Sequence, residues 1–257
     1  MGGALLSGWM DASLIGPKNL AVLDPTPGAE AVYAIERGAR HLGDVNDIPR
    51  AVSTVLLSVK PQTFAAIADT LAAHIPPTAL VMSIMAGVPL ARLEQAFPTQ
   101  HIIRAMPNTP AAVGRGVMAF VAGASVTEDV LVRAKPLLEA SGDVFQLQSD
   151  AQIDAVTAIS GSGPAYIFHL VEALEASARA LGLPSELAGP IARSTVTGSS
   201  ALLDASERSA STLREAVTSP GGTTQAALSV LMGEAGLEDL MRRATRAAMD
   251  RAGELSG

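Results

Sequence analysis

The chain has 257 residues, of which 48% are hydrophobic and 17% are charged. This composition excludes a disordered protein and can fill the core of one large domain or two ordinary ones. A net charge of −7 without a dense basic run argues against nucleic acid as a partner. The lack of cysteine excludes disulfides, thiolate zinc sites and a cysteine nucleophile. We see neither a secretory leader nor a bilayer-length apolar run, so we expect a cytoplasmic protein without a membrane partner.

Short apolar runs alternate with helical patterns along the first part of the chain, as far as Leu147. Strands that are apolar on both faces, with helices between them, predict a parallel sheet covered on both sides. The predicted strands are residues 20–23, 52–59, 80–84, 101–105, 116–121 and 144–147. The predicted helices of this part are residues 28–37, 63–74, 90–97 and 127–141.

From about Asp150 onward, strand patterns give way to helical periodicity. The predicted helices are residues 151–159, 164–181, 185–205, 212–217, 223–234 and 237–255. An α/β half followed by an all-helical half predicts two domains, which we place at residues 1–149 and 150–257.

The opening residues Met1-Gly2-Gly3 precede a helical pattern. In a dinucleotide fold, a glycine turn after the first strand lets a helix N-terminus approach the pyrophosphate. An acidic residue about 20 positions later meets the ribose, and Gly3 and Asp24 have this spacing. The first strand and the first two glycines of G-x-G-x-x-G are absent from the sequence. We therefore expect a sheet that lacks its first strand, and weak cofactor binding.

Two further segments follow predicted strands, where ligands bind in this type of sheet. The residues Ser58-Val59-Lys60-Pro61 come after the second predicted strand, and a plain strand-to-helix turn explains them equally well. The segment Arg104–Pro110 has two prolines around Asn-Thr, which predicts extended Met106 and Thr109 and a stiff loop. Such a loop can position a flat ring, and a purely structural turn is the alternative.

Two segments of the helical half are rich in glycine and hydroxyl groups. Residues 160–166 (SGSGPAY) open a long helix, with either a flexible cap or a ligand-binding backbone as the interpretation. Residues 217–224 (VTSPGGTT) join two helical patterns, and Gly221 and Gly222 permit a nest of amides at a helix N-terminus. A nest of this kind suits a carboxylate, so we favour a functional role for this loop.

No acid–base pair or metal-ligand constellation stands out among the titratable residues. We interpret Asp154 and Glu172 as charges on helix surfaces. The four histidines are scattered, and hydrolysis by a serine triad has no elbow motif to support it.

Four motifs in this order, SVKPQ, MPNTPAAVG, AVTAISGSGPAYIF and VTSPGGTTQAAL, resemble the pyrroline-5-carboxylate reductase family. The resemblance implies an N-terminal Rossmann-like dinucleotide-binding domain and a C-terminal all-α domain that binds substrate and forms a homodimer. The resemblance also implies that dimers often assemble into decamers. The implied reaction is hydride transfer from NADPH or NADH to the imine carbon of 1-pyrroline-5-carboxylate. It gives L-proline in the last step of proline biosynthesis, at a site between the nicotinamide end of one subunit and its partner's helices.

The resemblance also implies roles for individual residues. Thr224 is the candidate catalytic residue, as a proton relay to the ring nitrogen. The implied substrate-binding residues are Val217, Ser219, Gly221, Gly222, Thr223 and Thr224. The implied cofactor-binding residues are Gly2, Gly3, Asp24, Asn46, Ser58, Val59, Lys60, Pro61, Ala86, Gly87, Met106, Pro107 and Asn108.

Three alternatives remain open at this point. Asp24 favours NADH, whereas Thr26 can accept the extra phosphate of NADPH. A related imine or hydroxy-acid dehydrogenase with a lysine base is a second reading, but the only lysines are Lys18, Lys60 and Lys135. A non-catalytic dimeric homologue with an impaired cofactor site is the third.

Overall fold

The computed structural model describes residues 1–256 and divides the chain into two compact units. The first unit comprises residues 1–162 together with the chain from Ala248 onward, and the second comprises Gly163–Ala247. The strands are β1 (Ala21–Leu23), β2 (Arg40–Leu42), β3 (Thr54–Leu57), β4 (Leu80–Ser83), β5 (His101–Pro107), β6 (Gly116–Ala122) and β7 (Gly142–Gln146). The first unit's helices are α1 (Gly2–Asp11), α2 (Ala29–Glu36), α3 (Pro61–His74), α4 (Leu90–Ala96), α5 (Glu128–Glu139) and α6 (Asp150–Val156).

The remaining helices confirm the helical half of the sequence prediction. They are α7 (Gly163–Ala180), α8 (Ser185–Asp204), α9 (Ala210–Ala216), α10 (Thr223–Leu231) and α11 (Leu237–Ser256). A single π-helical turn at Thr157–Gly161 separates α6 from α7. Helix α11 begins in the second unit, and its last turns belong to the first.

The strands of the first unit form two sheets. Strands β1 and β2 pair in parallel, and β3 to β7 form a five-stranded sheet in chain order. Strands β1 and β3 therefore do not pair with each other, and the strand order of a dinucleotide fold places its first strand between these two. Helix α1 contributes to two apolar clusters, since Leu6 packs with Ala34 of α2 and Ala39, while Leu5 packs in the cluster on the larger sheet.

The prediction of a wholly parallel sheet is wrong for β6, which runs antiparallel to β5. The two strands are joined only by residues 108–115, which include a short 3₁₀ turn at Thr109–Val113. A parallel pair needs a crossover of about a dozen residues or more, so this short connection enforces the antiparallel arrangement. The prediction of an extended Thr109 is likewise corrected, because Thr109 opens that 3₁₀ turn.

Strand β2 was not predicted, because a short stretch of Arg-His-Leu carries no apolar run. Only Leu42 of its three residues is buried. Its strand geometry comes from pairing with β1, and the sequence of β2 alone does not predict it.

Helices cover both faces of the larger sheet. On one face, Phe64 and Leu71 of α3 and Leu93 of α4 pack with Val81 of β4. On the other face, residues of α1 and α5 pack with Leu80 of the same strand. Neighbouring residues of β4 point in opposite directions, as strand geometry requires, so the apolar run is buried on both sides.

The second unit has a very different interior. Among its described residues, the only fully buried apolar side chains are Ala188 and Ala192 of α8, which packs against α7. Large apolar side chains are exposed along its helices, including Phe168 at 64% and Leu202 at 54%. None of the described helices combines the length and apolar character needed to cross a membrane.

Candidate functional site

The N-terminus of α1 lies beside the end of β3. A Cβ atom placed on Gly2 would come within 2.6 Å of the Ser58 hydroxyl oxygen, so the backbone there approaches as closely as only glycine allows. Helix α1 has no side-chain cap at Met1, which leaves amides of its first turn without intrahelical partners. The structure thus brings the predicted glycine turn and the predicted strand end together.

An acidic side chain borders the same turn. A Cβ atom on Gly3 would lie 2.6 Å from a carboxylate oxygen of Glu30, at the start of α2. A carboxylate close to a helix N-terminus competes with any bound anion for the same positive potential. Sequence patterns did not single out Glu30, since its position depends on how α1 and α2 pack.

Asp24 follows β1 at the same edge and is exposed. Its carboxylate accepts a hydrogen bond from the backbone amide of Thr26 at 2.8 Å, which forms a local turn. Its backbone carbonyl lies 3.0 Å from Nε2 of His41 on β2. The predicted acidic residue therefore lies directly after β1, and one of its carboxylate oxygens is engaged by the Thr26 amide.

Asn46 lies in an exposed 3₁₀ turn after β2, Val45–Asp47. Its backbone amide donates to the Asp44 carboxylate at 2.9 Å, and its side-chain amide donates to the same oxygen. These hydrogen bonds lower the pKa of Asp44, the backbone bond being the larger cause. The turn packs against α3, the helix that follows Ser58–Lys60.

The segment after β3 has the predicted form. Lys60 is the N-cap residue of α3 and Pro61 its first residue, where a missing amide costs nothing. Ser58 and Lys60 are exposed, while Val59 is half-buried and packs against the core. This arrangement presents a hydroxyl and a lysine at the carboxyl edge of the sheet.

The loop after β4 contains exposed Ala86 and the strained position Gly87. Gly87 has φ +72°, a left-handed conformation that favours glycine. A Cβ atom there would also lie 2.6 Å from the carbonyl oxygen of Leu255, near the end of α11. Gly87 therefore serves two purposes, a backbone turn and a close approach of the terminal helix.

The end of β5 is packed into the first unit. Met106, Pro107 and Asn108 are all buried. The Asn108 side-chain nitrogen donates to the carbonyl oxygen of Ser160 at 3.2 Å and to its hydroxyl at 2.9 Å. Its side-chain oxygen accepts from the Val117 amide at 2.8 Å. The side chain of Asn108 is thus engaged inside the protein rather than presented to solvent.

A buried ion cluster lies on the same strand and was missed by sequence reasoning. Arg104 is 1% exposed, pairs closely with Asp150 and lies 3.8 Å from Asp154. The interpretation of Asp154 as a surface charge is therefore wrong, because α6 packs its acidic face onto β5. Burial raises the pKa of Asp154, with the Arg104 charge opposing and Asp150 adding to the rise.

The loop between α9 and α10 is a tight turn in the second unit. The Gly222 amide donates to the Ser219 carbonyl at 3.0 Å, and Gly221 has φ +70° after Pro220. These are the features of a type II turn, with proline second and glycine third. The Gly221 amide donates to the side-chain oxygen of Gln225 at 2.6 Å.

The hydrogen-bond donors that this loop leaves open for a ligand are not the two glycine amides that the sequence predicted. Gly222 caps α10 without a side-chain hydrogen bond, so the amides of Thr223 and Thr224 are open. Within residues 1–256, we find no hydrogen bond for the hydroxyls of Ser219, Thr223 or Thr224. Val217 is 64% exposed beside them. The loop combines open amides, open hydroxyls and an exposed apolar side chain.

Two other features bear on possible ligands. Across the described part of the chain, no three histidine, aspartate or glutamate side chains gather as metal ligands would. An open cleft of about 460 Å³ lies at the amino ends of the strands, lined in part by Ser53, Thr78 and His101. It lies at the opposite end of the strands from the residues predicted to bind a cofactor.

Comparison with known proteins resolves the family. A pyrroline-5-carboxylate reductase from Synechocystis is 38% identical over 99% of this chain and 96% of its own length. The chain belongs to the pyrroline-5-carboxylate reductase family. A solved reductase from Coxiella burnetii superposes with a TM-score of 0.90 at 33% identity, over 99% of this chain and 94% of the other. A Plasmodium falciparum relative, solved with NADP bound, shares the fold at 24% identity, with a TM-score of 0.85 over 100% of this chain and 95% of its own.

The family also explains the exposed helices of the second unit. Residues 150–255 match the model of the pyrroline-5-carboxylate reductase dimerisation domain. Exposed large apolar side chains along neighbouring helices are typical of interaction surfaces. The helical unit is thus an oligomerisation unit of a reductase of this family.

Proposed function

We propose that the chain is an NAD(P)H-dependent oxidoreductase that reduces 1-pyrroline-5-carboxylate to L-proline, the last step of proline biosynthesis. The observation that carries this proposal is the 38% identity to a named reductase over 99% of the chain. The loop of open amides and hydroxyls at residues 217–224 supports it, because the substrate is a small carboxylate. We place the reaction in the cytoplasm.

The first unit would hold the cofactor, which supplies the hydride when bound. The fit rests on the N-terminus of α1, which has no side-chain cap and lies beside the Ser58 hydroxyl, so its first amides can donate to a phosphate. The proposed contacts are Gly2, Gly3, Asp24, Asn46, Ser58, Val59, Lys60, Pro61, Ala86 and Gly87, with Met106, Pro107 and Asn108 forming the nicotinamide end. We assign residues 1–149 to this task and residues 150–257 to substrate binding and dimerisation.

The loop after α9 would hold the substrate carboxylate. The open donors are the hydroxyls of Ser219 and Thr223 and the amides of Thr223 and Thr224, which the turn at Gly221 and Gly222 presents, while Val217 lines the ring. The iminium form of the substrate is already electrophilic, so hydride addition to its carbon needs no strong base. The Thr224 hydroxyl would relay a proton from water to the imine nitrogen to give this iminium form, and hydride addition to the carbon then returns the C=N electron pair to the nitrogen. Catalysis then rests mainly on holding donor and acceptor in register.

The finer assembly is also part of the proposal. The exposed apolar faces of α7 and α8 would pair in a homodimer, and dimers would assemble into a decamer. The large apolar side chains exposed on these helices, such as Phe168 and Leu202, support this pairing.

A test of the reaction follows NADPH and NADH oxidation with 1-pyrroline-5-carboxylate. The variant Thr224→Val should lower kcat about 100-fold, because it removes the proposed relay and keeps the side-chain shape. Thr197→Val on α8 is the matched control and should behave as wild type. Turnover of hydroxy acids with NAD⁺ instead of the imine would identify the related dehydrogenase class.

A second candidate is a dimeric homologue with weak cofactor binding. Two observations favour it, the Glu30 carboxylate beside the N-terminus of α1 and the lack of pairing between β1 and β3. Titration of NADPH and NADH by cofactor fluorescence separates the two candidates. Saturation at micromolar concentrations supports the reductase, whereas no saturation at millimolar concentrations supports the second candidate.

A further inference from the structure

One face of β5 carries Arg104 and Met106, and the extended residue Asn108 directly after the strand continues this alternation, since alternate extended residues point the same way. Each of these three side chains meets the segment made by α6 and the π-helical turn. Arg104 meets Asp150 and Asp154, and Met106 packs with Ile153. Asn108 binds Ser160, as described above. The strand therefore attaches this segment to the first unit at three successive points.

At Asn108, both N–H groups of the side-chain amide donate to the same residue, Ser160. With its oxygen bound to the Val117 amide, the side chain has no donor left for a ligand. Asn108 is 8% exposed, so these bonds are shielded from water. An amide buried and used in this way fixes the geometry of the chain on both sides of it.

The attachment at Arg104 reaches a second loop. One oxygen of Asp150 pairs with Arg104, and the other accepts the Leu90 amide at 3.0 Å. Leu90 is the first residue of α4, directly after the loop that contains Gly87. The same cluster therefore holds the start of α4 and the start of α6 on β5.

The turn between the two attachments is irregular. The Ser162 amide donates to the Thr157 carbonyl at 2.9 Å, a π-type bond. The Thr157 hydroxyl bonds to the Ile153 carbonyl at 2.8 Å and competes with regular helix bonding. Single π-helical turns are rare, and they occur frequently at functional sites.

We propose that Asn108 is a positioning residue that fixes the turn Ser160–Ser162 against the end of β5, with Arg104 as the second anchor of the same segment. The proposal rests on the proposed function, because the turn it fixes lies beside the strand end assigned to the nicotinamide. Misplacement of such a segment by about 1 Å costs roughly 100-fold in rate. Asn108 would thus act on hydride transfer through Ser160 and not by touching the cofactor with its side chain.

The test compares Asn108→Asp with Asn19→Asp, an exposed asparagine with the same change in charge. Asn108→Asp keeps the acceptor for Val117 and removes both donors to Ser160. We expect amide hydrogen exchange of residues 157–162 to rise at least tenfold in Asn108→Asp alone. We expect kcat to fall roughly 10- to 100-fold while KM for NADPH changes less than about threefold. Ser160→Ala loses only one of the two bonds and should give a smaller change of the same kind.

Two results would overturn the proposal. One is unchanged exchange of residues 157–162 in both Asn108→Asp and Ser160→Ala. The other is faster exchange with unchanged kcat, which would make the attachment purely structural. A wild-type protein without reductase activity would refute the proposed function instead, while the exchange measurement would still judge the attachment. If Asn108→Asp does not fold, Ser160→Ala decides by the same two measurements.

Discussion

The two units of this chain bury their apolar residues in opposite ways. The first unit encloses its own core, with aromatic and aliphatic side chains of four helices packed on a sheet. The second buries only small side chains and leaves residues such as Phe168 and Leu202 exposed on the single chain. The difference shows that the first unit encloses an apolar core of its own, whereas the second leaves its large apolar side chains uncovered in the single chain. The following predictions test this division.

The largest expected effect is on dimerisation through the helices of the second unit. Phe168→Glu on α7 should raise the dimer dissociation constant at least about 100-fold, because it would bury an unpaired charge. The control is Val132→Glu on α5, which has nearly the same exposed fraction, 63% against 64%. Sedimentation velocity over a dilution series measures both. Equal dissociation constants for the two variants would contradict the assignment of the dimer interface to the second unit.

The next effect concerns ion pairs in the two environments. Arg104→Met should lower the free energy of unfolding by about 3 kcal/mol, because it leaves two partly buried carboxylates without their cation. Arg243→Met breaks an exposed pair with Asp239 in the second unit and should leave urea denaturation unchanged. A larger loss of unfolding free energy for Arg243→Met than for Arg104→Met would contradict the assignment of the enclosed core to the first unit.

Alanine substitutions at two glycines separate the cost of a positive φ from the cost of a steric clash. Gly87→Ala should cost about 3 kcal/mol, because it combines positive φ with a clash against the Leu255 carbonyl. Gly114 has φ +68° with nothing within 4 Å of an added Cβ, so Gly114→Ala should cost only about 1 kcal/mol. Thermal and urea unfolding measure both variants. Similar losses would mean that the end of α11 does not pack on the first unit.

The substrate loop offers a smaller and more specific effect. Gln225 occupies the Gly221 amide, so Gln225→Ala should lower KM for 1-pyrroline-5-carboxylate by about two- to fivefold. Gln225→Glu should raise it, because a carboxylate there repels the substrate. Steady-state kinetics at saturating NADPH distinguish the two directions. A shift of KM in the same direction in both variants would exclude this loop as the carboxylate site.

The smallest effect is a pH dependence in the first unit. The pKa of Asp154 is raised in the folded state, so its ionisation opposes folding. Stability of the wild type should therefore fall as the pH rises from the ordinary value of 3.8 through the folded-state pKa. Asp154→Asn should lack this fall and gain relative to wild type between pH 3.5 and pH 7. Urea titrations across that range check it, and a parallel pH dependence of the two proteins would refute the assignment.

Particular residues show how far sequence reasoning reached. The apolar runs of β4 and β5 were found because both faces of these strands are buried, which leaves a continuous pattern. Strand β2 was missed because partner pairing, and not its own composition, makes it a strand. Asp154 was misjudged because a polar residue in a helical pattern does not indicate that Arg104 lies opposite it on β5.

The same limit applies to the candidate site. The glycines of residues 217–224 predicted a nest, yet Gln225 and Ser219 occupy the two glycine amides. The segment Arg104–Pro110 was selected for its two prolines and Met106-Pro107-Asn108 for the family resemblance, but only the packed structure shows Asn108 bound to Ser160. Hydrogen-bond partners far apart in the chain cannot be inferred from one sequence.

The sequence by itself determined the α/β and helical halves, the turn chemistry at Pro61 and Gly221, and the motifs that carry the family. These features are local, since they follow from side-chain periodicity and from the backbone freedom of glycine and proline. Only the tertiary structure decided that β6 runs antiparallel, that α6 is attached to β5 through Arg104, and that the second unit lacks a core of its own. Those features depend on which distant surfaces meet, and burial and charge compensation between distant residues leave no local pattern to read.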